Sequence, residues 1–521
     1  MNILLLYPEM PETFWSMHPL MRLTGRKSPY PPLGLLTVAA LLHETWERKL
    51  VDLNVGRLRD SYLEWADLVF ISAMNVQQDT ARQAIKRCKE RGASVVAGGP
   101  LFTHQYLEFP EVDYFILNEA EITLPDFIKD WEQGSLKKVY ASGEYADLTK
   151  SPVPDWNLVD FKHYPYGIVQ YSRGCPFLCE FCDVTALFGR KPRLKKAGRI
   201  IEELDRIIRC GTPDMILFAD DNLIGNKREL KTELLPLLVE WRRRNKYAPG
   251  FATQATINLA DDEELMQLML EAGFRHIFIG IETPEAETLA QTGKKQNLNR
   301  NMLENVKLLH SKGFIITGGF IIGFDSDSSR IYQRQIDFIN QSNIVIATVN
   351  RLKAPPGTAL YERMKLENRL TGEFSFDEHR SNIKPLEDAA SITLGYGKVI
   401  GNVLTPAHVY QRAKKFLKEY RVSKVENPIC KKNSIRDLMT LFRIIWFIGI
   451  LSATRLYFIR LVLWTLWNMP KRLDLAFLFS GLMYHFHLLY KRYEKPIRIA
   501  ATRKGSAPAI TPKSRWIANP G

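Results

Sequence analysis

Cysteine is scarce in this chain, with six among 521 residues, and that scarcity excludes a disulfide-built scaffold. Three of the six, Cys88, Cys210 and Cys430, are scattered. The first residues, Met1-Asn-Ile-Leu-Leu-Leu-Tyr-Pro8, lack a basic stretch followed by a long apolar run. They read as a first strand and not as an export signal, which with the free thiols points to a reducing cytoplasm. No GxGxxG follows that strand, and this argues against a nicotinamide-binding domain. A spanning segment is missing too. The apolar region Leu438 to Trp467 is broken by Arg443, Arg455 and Arg460, and its longest uncharged run, Ile444 to Thr454, is 11 residues. A transmembrane helix needs roughly 20.

Charge is unevenly spread. Residues 411–521 carry 22 Lys/Arg against 5 Asp/Glu, a net of +17 in a chain whose total is +14, so the first 410 residues sum to −3. Nucleic acid and anionic lipid both attract such a segment. The aromatics there sit in aliphatic runs such as Leu456-Tyr-Phe-Ile-Arg-Leu-Val-Leu-Trp464, whereas single-strand binders place them in polar grooves. Lipid is therefore the expected partner, with nucleic acid excluded.

What the chain does have is Cys175-Pro-Phe-Leu-Cys179-Glu-Phe-Cys182, three thiols within eight residues, entered from the strand-like run Ile168–Gly174. A structural zinc site wants four closed ligands, and no second pair or helical histidine set lies near. Three thiolates on an iron–sulfur cube leave one iron open. The spacing resembles the radical S-adenosylmethionine superfamily, which implies a [4Fe–4S] cluster on Cys175, Cys179 and Cys182 whose free iron takes S-adenosylmethionine. Phe181 stands where family members place a residue against the adenine. The plain alternative is three unrelated core cysteines.

Residues 1–140 alternate short apolar runs with helical patterns: Ile3–Tyr7, Leu33–His43, Arg48–Leu53, Asp67–Ala73, Thr80–Arg91, Ser94–Ala97 and Tyr114–Leu117. Strands so spaced imply an α/β fold with a doubly wound, Rossmann-like parallel sheet that binds ligands beyond its carboxyl strand ends. Val95-Val-Ala-Gly-Gly-Pro100 and Asn118-Glu-Ala-Glu121 resemble the cobalamin-binding domain that precedes many radical barrels. The resemblance makes Tyr7, Pro8, Ser72, Gly98, Gly99, Pro100 and Glu119 the candidate cobalamin contacts. The family commonly has glycine at the position of Asn118. No DxHxxG occurs, so no histidine is offered to cobalt in the usual way. A flavodoxin-like domain that binds nothing is the alternative. Pro29-Tyr-Pro-Pro-Leu-Gly34 is either a rigid turn ahead of a helix or, by resemblance to the family's PPLG segment, a neighbour of the cofactor.

Residues 141–167, with Pro152, Pro154 and Pro165, read as an ordered linker. Six further strand candidates, Ile168–Ser172, Met215–Ala219, Gly250–Thr256, His276–Ile281, Phe314–Ile322 and Ile344–Leu352, fit a partial (β/α)6 barrel over 168–380, with its site at the carboxyl strand ends. Asp221, Gln254 and Glu282 fall at such ends. Glu282 in Gly280-Ile-Glu-Thr-Pro284 resembles the family's GIE(S/T) segment, which implies contact with the amine or ribose of S-adenosylmethionine; its plain role is to cap the next helix. Asp221 and Gln254 are candidates for the same cofactor. Ala354-Pro-Pro-Gly-Thr-Ala-Leu-Tyr361 resembles the APPGTxLY turn of cobalamin-type radical proteins and is structural. A helical region over 381–495 and a disordered basic tail over 496–521 complete the chain. Within it, 438–493 is either a buried cap or an interfacial, aromatic and cationic surface, and both hold if one face packs inward.

The whole order resembles cobalamin-dependent class B radical S-adenosylmethionine methyltransferases, and Thr13-Phe-Trp-Ser16, Pro31–Ala40 and Trp65-Ala-Asp67 resemble the hopanoid 2-methyltransferase type. The resemblance implies cleavage of S-adenosylmethionine to a 5′-deoxyadenosyl radical, hydrogen abstraction from an unactivated carbon, and methyl delivery from cobalamin. It also implies a lipid-like substrate, a flavodoxin- or ferredoxin-like electron donor and peripheral contact with the inner face of the membrane. No catalytic side chain is assigned. An oxidative cyclase and a non-catalytic corrinoid sensor share these parts, while a methylthiotransferase would want a second cysteine cluster.

Overall fold

The structure, a computed structural model, describes residues 1–372, 374, 380–421 and 435–502. Cys430 lies outside the described residues. The first sheet holds β1 (Asn2–Tyr7), β2 (Glu47–Asp52), β3 (Leu68–Ser72), β4 (Val95–Gly98), β5 (Tyr114–Ile116) and β6 (Val139–Tyr140), all parallel in the order β2-β1-β3-β4-β5-β6. Ile3, Leu4, Leu5 and Leu6 are all fully buried, because helices cover both faces of a parallel sheet. Alternate residues feed separate cores: Leu4, Val69 and Val95 on one face, Ile3, Leu68 and Val96 on the other. Strand order reverses between β1 and β3. That switch point opens a crevice beyond Tyr7 and Ser72. The two-residue β6 was not anticipated.

A linker with three short turns, Leu148–Lys150, Trp156–Leu158 and Phe161–His163, leads to β7 (Tyr166–Val169). The expected single strand to Ser172 is broken, because the buried Asp220 carboxylate accepts from the Tyr171 and Ser172 amides and turns the chain. There follow β8 (Ser172–Arg173), β9 (Arg193–Leu194), β10 (Met215–Phe218), β11 (Gly250–Gln254), β12 (Phe274–Glu282), β13 (Ile315–Ile322) and β14 (Ile346–Arg351). Strands β7 and β10 to β14 form one parallel sheet in chain order, and its ends β7 and β14 do not pair. This is the open six-strand barrel. Strands β8 and β9 form an antiparallel ribbon that brackets the cysteine loop.

The open side is covered from the carboxyl end of the chain. Helix Ala389–Leu404 packs on β14, its Tyr396 hydroxyl donating to the Val349 carbonyl at 3.2 Å. Helices Pro406–Glu419, Ile435–Ile444, Arg455–Asn468 and Leu473–Thr502 complete the layer. The last helix passes the expected boundary at 495, since Arg498, Ala500 and Ala501 are strong helix formers that a compositional reading discounts. The Thr13–Ser16 segment is wedged beneath it. Phe14 stacks on Phe486 at 5.2 Å and Trp15 meets Phe278 of the barrel edge-on at 5.5 Å.

The two sheets are clasped by buried charge. Arg173 and Arg193 face each other across the β8–β9 ribbon, and both reach the Glu119 carboxylate at 2.8 Å. Arg173 also takes Glu121 at 2.8 Å, and the Ala146 amide donates to Glu119. Burial alone would raise the Glu121 carboxyl, but Arg173 outweighs it and holds the group below the ordinary glutamate range. The clasp therefore contributes fully above that range and is lost as pH falls through the lowered value. Replacing Arg173 by Met leaves the buried Glu121 carboxylate without its cation and Glu119 with Arg193 alone, and the expected cost is about 3–5 kcal/mol. Anaerobic urea denaturation of the holoenzyme measures it; a loss below ~1 kcal/mol, typical of exposed pairs, would refute the clasp.

Candidate active site

Gly174 to Asp183 runs as a loop from β8 to the short helix Val184–Phe188. Cys179 is buried, while Cys175 and Cys182 are half-buried. The loop is pinned at several points: the Gly174 amide donates to Asp221 at 3.0 Å, the Glu180 amide to the Thr292 carbonyl, and the Leu360 amide to the Glu180 carbonyl. Asp221 thus lies behind the loop, its carboxyl pushed up to about 7 by burial. The Ala354–Tyr361 turn is structural as expected. Thr358 caps the helix it opens, and Arg363 on that helix holds Glu180 at 2.9 Å. Phe181 packs against Phe324 at 5.9 Å, within an apolar group that includes Leu352 and Leu360.

Burial raises all three thiols, Cys182 to about 12. Ligation by iron replaces the proton and offsets that burial. No three Cys, His, Asp or Glu side chains among the described residues converge on a single-ion site; a cube takes each thiolate on a separate iron. Three thiols on one loop with no fourth protein ligand beside them suit a cluster with one open corner.

Sequence reasoning missed the cation beside them. Lys294 is buried and pairs with Glu282 at 2.7 Å. Burial would lower its ammonium, but Glu282 and the Cys179 sulfur outweigh that and hold it at about 12. Gln296 donates towards Cys179 sulfur at 3.6 Å. Gly293 permits this approach, because at φ +72° a Cβ there would lie 2.4 Å from the Leu178 carbonyl oxygen. The signal was the polar run Gly293-Lys-Lys-Gln-Asn297, without helical periodicity. Glu282 does not cap the following helix. It sits at φ +63° where β12 shifts register against β13, a conformation costing about 1–3 kcal/mol that surrounding structure must enforce.

One cavity of about 1830 Å³ joins both sheets. From the first domain it takes Tyr7, Ser72, Gly98, Gly99, Pro100 and Glu119. Pro8 is buried, with its carbonyl taken by Asn54 and Gln77. Glu119 reaches the cavity, but its carboxylate is spent on the two arginines. Gly99 has φ +89°, and a Cβ on it would strike Ser72 Oγ at 2.6 Å, so only glycine permits this close approach of the loops after β3 and β4. Asn118 takes φ +62°; asparagine tolerates that left-handed conformation, which explains the departure from glycine. Pro29–Gly34 leads into helix Leu33–Leu41 and lines the cavity. Gln254 extends into it from the end of β11, with Trp15 and Phe278 on its wall.

The comparisons divide the chain as the fold does. Residues 22–128 match the B12 binding domain, 169–331 the radical SAM superfamily, and 358–498 a domain of unknown function, DUF4070. A methyltransferase of Synechocystis sp., described as uncharacterized, is 39% identical over 88% of this chain and 86% of its own. The hopanoid C-2 methylase of Rhodopseudomonas palustris is 34% identical over 82% of each chain. Among solved structures, the cobalamin-dependent radical enzyme OxsB with aqua-cobalamin and S-adenosylmethionine shares the fold at TM-score 0.61 and 15% identity, covering 98% of this chain and 82% of that one. The methyltransferase TsrM of Kitasatospora setae does so at 0.57 and 16%, covering 74% and 82%. This chain belongs to the cobalamin-dependent radical S-adenosylmethionine methyltransferases. Its cofactors are cobalamin, S-adenosylmethionine and a [4Fe–4S] cluster.

Two outcomes are expected. Alanine at Cys175, Cys179 or Cys182 abolishes 5′-deoxyadenosine formation, while alanine at Cys88 or Cys210 leaves it intact; retained cleavage in any of the first three contradicts the site. No DxHxxG follows β1, β3, β4 or β5, so paramagnetic resonance of the cob(II)alamin form should show no nitrogen superhyperfine splitting from protein; such a splitting would point to His18, which lines the cavity.

Proposed function

We propose that this methyltransferase acts on an unactivated carbon of a lipid-like molecule, of isoprenoid or hopanoid type, while resting on an anionic membrane surface and drawing electrons from a flavodoxin- or ferredoxin-like donor. The observation that carries this reading is the placement of apolar surface. Of the 23 large apolar side chains exposed among the described residues, 14 lie between Leu438 and Trp467. Leu438 is 69% exposed, Phe442 64% and Trp467 89%, whereas Ile448, Phe458 and Leu461 in the same stretch are buried. One face packs inward and the other is unpartnered, a concentration that marks an interaction surface. Arg443, Arg455 and Arg460 lie among these residues, and each cation near an anionic bilayer contributes about 1 kcal/mol. No helix among the described residues is long and apolar enough to cross a membrane, so attachment is interfacial.

Bound cobalamin, S-adenosylmethionine and the cluster supply the radical and methyl-transfer chemistry. The chain's own residues orient and enclose. Asp221 and Arg363 fix the thiol loop, Lys294 sets a positive charge beside it, and Trp15 with Phe278 keep the wall of the cavity apolar. The hopanoid relative's name supports the substrate class.

Anaerobically reconstituted enzyme, given lipid extract and S-adenosylmethionine carrying a deuterated methyl, should yield labelled lipid together with S-adenosylhomocysteine. Oxidised lipid without S-adenosylhomocysteine would point instead to a cyclase. For the surface, co-sedimentation with anionic vesicles at low salt should exceed that with neutral vesicles and should be lost in the double variant Phe442→Glu, Trp467→Glu. Equal amounts left in solution by both proteins would remove the membrane part of the reading.

A further inference from the structure

Barrel interiors of this type are ordinarily filled by layers of branched side chains. Here the large residues of the strands, Ile216, Phe218, Phe251, Ile277 and Ile279, are fully buried in the surrounding core, and the alternate positions include Ala219, Gly250, Ala252, Gly280 and Gly319. Gly280 leaves room for the Glu282–Lys294 pair and Gly319 for the Phe278 ring; a Cβ on Gly250 meets nothing nearer than the Gly273 carbonyl at 3.9 Å. The lumen is consequently hollow through its whole height. The cavity touches Gln170, Ala219 and Gln254 at the carboxyl end and Tyr166, Met215, Gly250, Ile315 and Ile346, the first residues of five of the six strands, at the other. From Met215 to Ala219 alone is about 13 Å at 3.3 Å per residue.

The lower end is open. Pro470, Lys471 and Asp474 line the cavity and are exposed, and Trp467, the most exposed aromatic among the described residues, stands just ahead of them. Leu475, Leu478 and Leu482 continue the lining upward along the last helix. Within the lumen, the His276 ring faces the cavity and has no hydrogen-bond partner among the described residues. Burial keeps it neutral at pH 7, its pKa down to about 4, so it can donate or accept one hydrogen bond.

We infer that the lumen holds the long axis of an extended, rigid, apolar substrate bearing one hydroxyl-like group, that His276 meets this group at the end far from the reacting carbon, and that the substrate is admitted past the exposed Pro470, Lys471 and Asp474 at the turn that joins helices Arg455–Asn468 and Leu473–Thr502, next to the exposed apolar face. This assigns the 358–498 domain the role of a lipid portal. It rests on the lipid reading above for its substrate class, but not on methyl transfer.

The test is binding without turnover. Dehydroergosterol, a fluorescent four-ring sterol with one hydroxyl, is titrated into cobalamin-loaded full-length enzyme by energy transfer from tryptophan. Gly250→Leu should weaken binding by about tenfold or more with cobalamin content and Tm unchanged, and His276→Leu should abolish the preference for the free alcohol over its methyl ether. Unaltered affinity in Gly250→Leu overturns the inference. Should that variant not fold, the unmodified enzyme decides: affinity rising from one-ring to two-ring to four-ring alcohols supports a lengthwise site, and equal affinities overturn it. Lipid methylation with no lumen binding sinks this inference alone, and lumen binding with no methylation sinks the functional reading alone.

Discussion

The two sheets meet at a buried carboxylate shared by two arginines. Glu119 stands at the start of helix Ala120–Gln133 in the first domain, and Arg173 and Arg193 stand on the ribbon that brackets the thiol loop. Because Arg173 precedes Cys175 by two residues, the ion pair that joins the domains also sets where the cluster sits relative to the crevice beyond Ser72. Buried pairs of this kind add little net stability compared with apolar packing, and their value lies in fixing one arrangement over others. Here the arrangement fixed is that of the thiol loop against the first domain.

Emptying the barrel lumen has a structural cost that the carboxyl-terminal layer offsets. Small residues on the lumen side leave the sheet without the layers that normally hold its inner face, and β7 and β14 are left as unpaired edges. Helix Ala389–Leu404 and the helix Leu473–Thr502 supply the missing packing, through Tyr396, Phe479 and Phe486. The same layer carries the exposed apolar face. One segment thus both covers the open barrel and presents the exposed apolar face.

Much of this was legible in the sequence because it is local. The CxxxCxxC spacing, the alternation of strands with helices and the polar residues at strand ends all lie within a few residues of one another. Asn118 was legible only as a departure; its positive φ supplies the reason. Glu119 was read as a cofactor contact, since its position is a strand-end loop, but its partners lie 54 and 74 residues downstream and no local pattern announces them. Lys294 was missed for the same reason, though Glu282 is only 12 residues away. The hollow lumen was written in alternate small residues, a pattern that in a lone strand means only weak packing. The last helix ran further than composition suggested, because composition weighs charge and proline while the helix responds to its alanines.

If the cavity lined from both sheets holds cobalamin, the thiol loop, flanked by Arg173 and Phe188 on the cavity wall, puts the cluster close to it. Pulsed electron paramagnetic resonance on enzyme holding both cob(II)alamin and the one-electron-reduced cluster tests it directly. Resolved spin–spin coupling between the two centres is expected, and it should weaken when Arg173 is replaced by Met and the thiol loop loses its tie to Glu119 and Glu121. Two independent, uncoupled signals in the unmodified enzyme would contradict it.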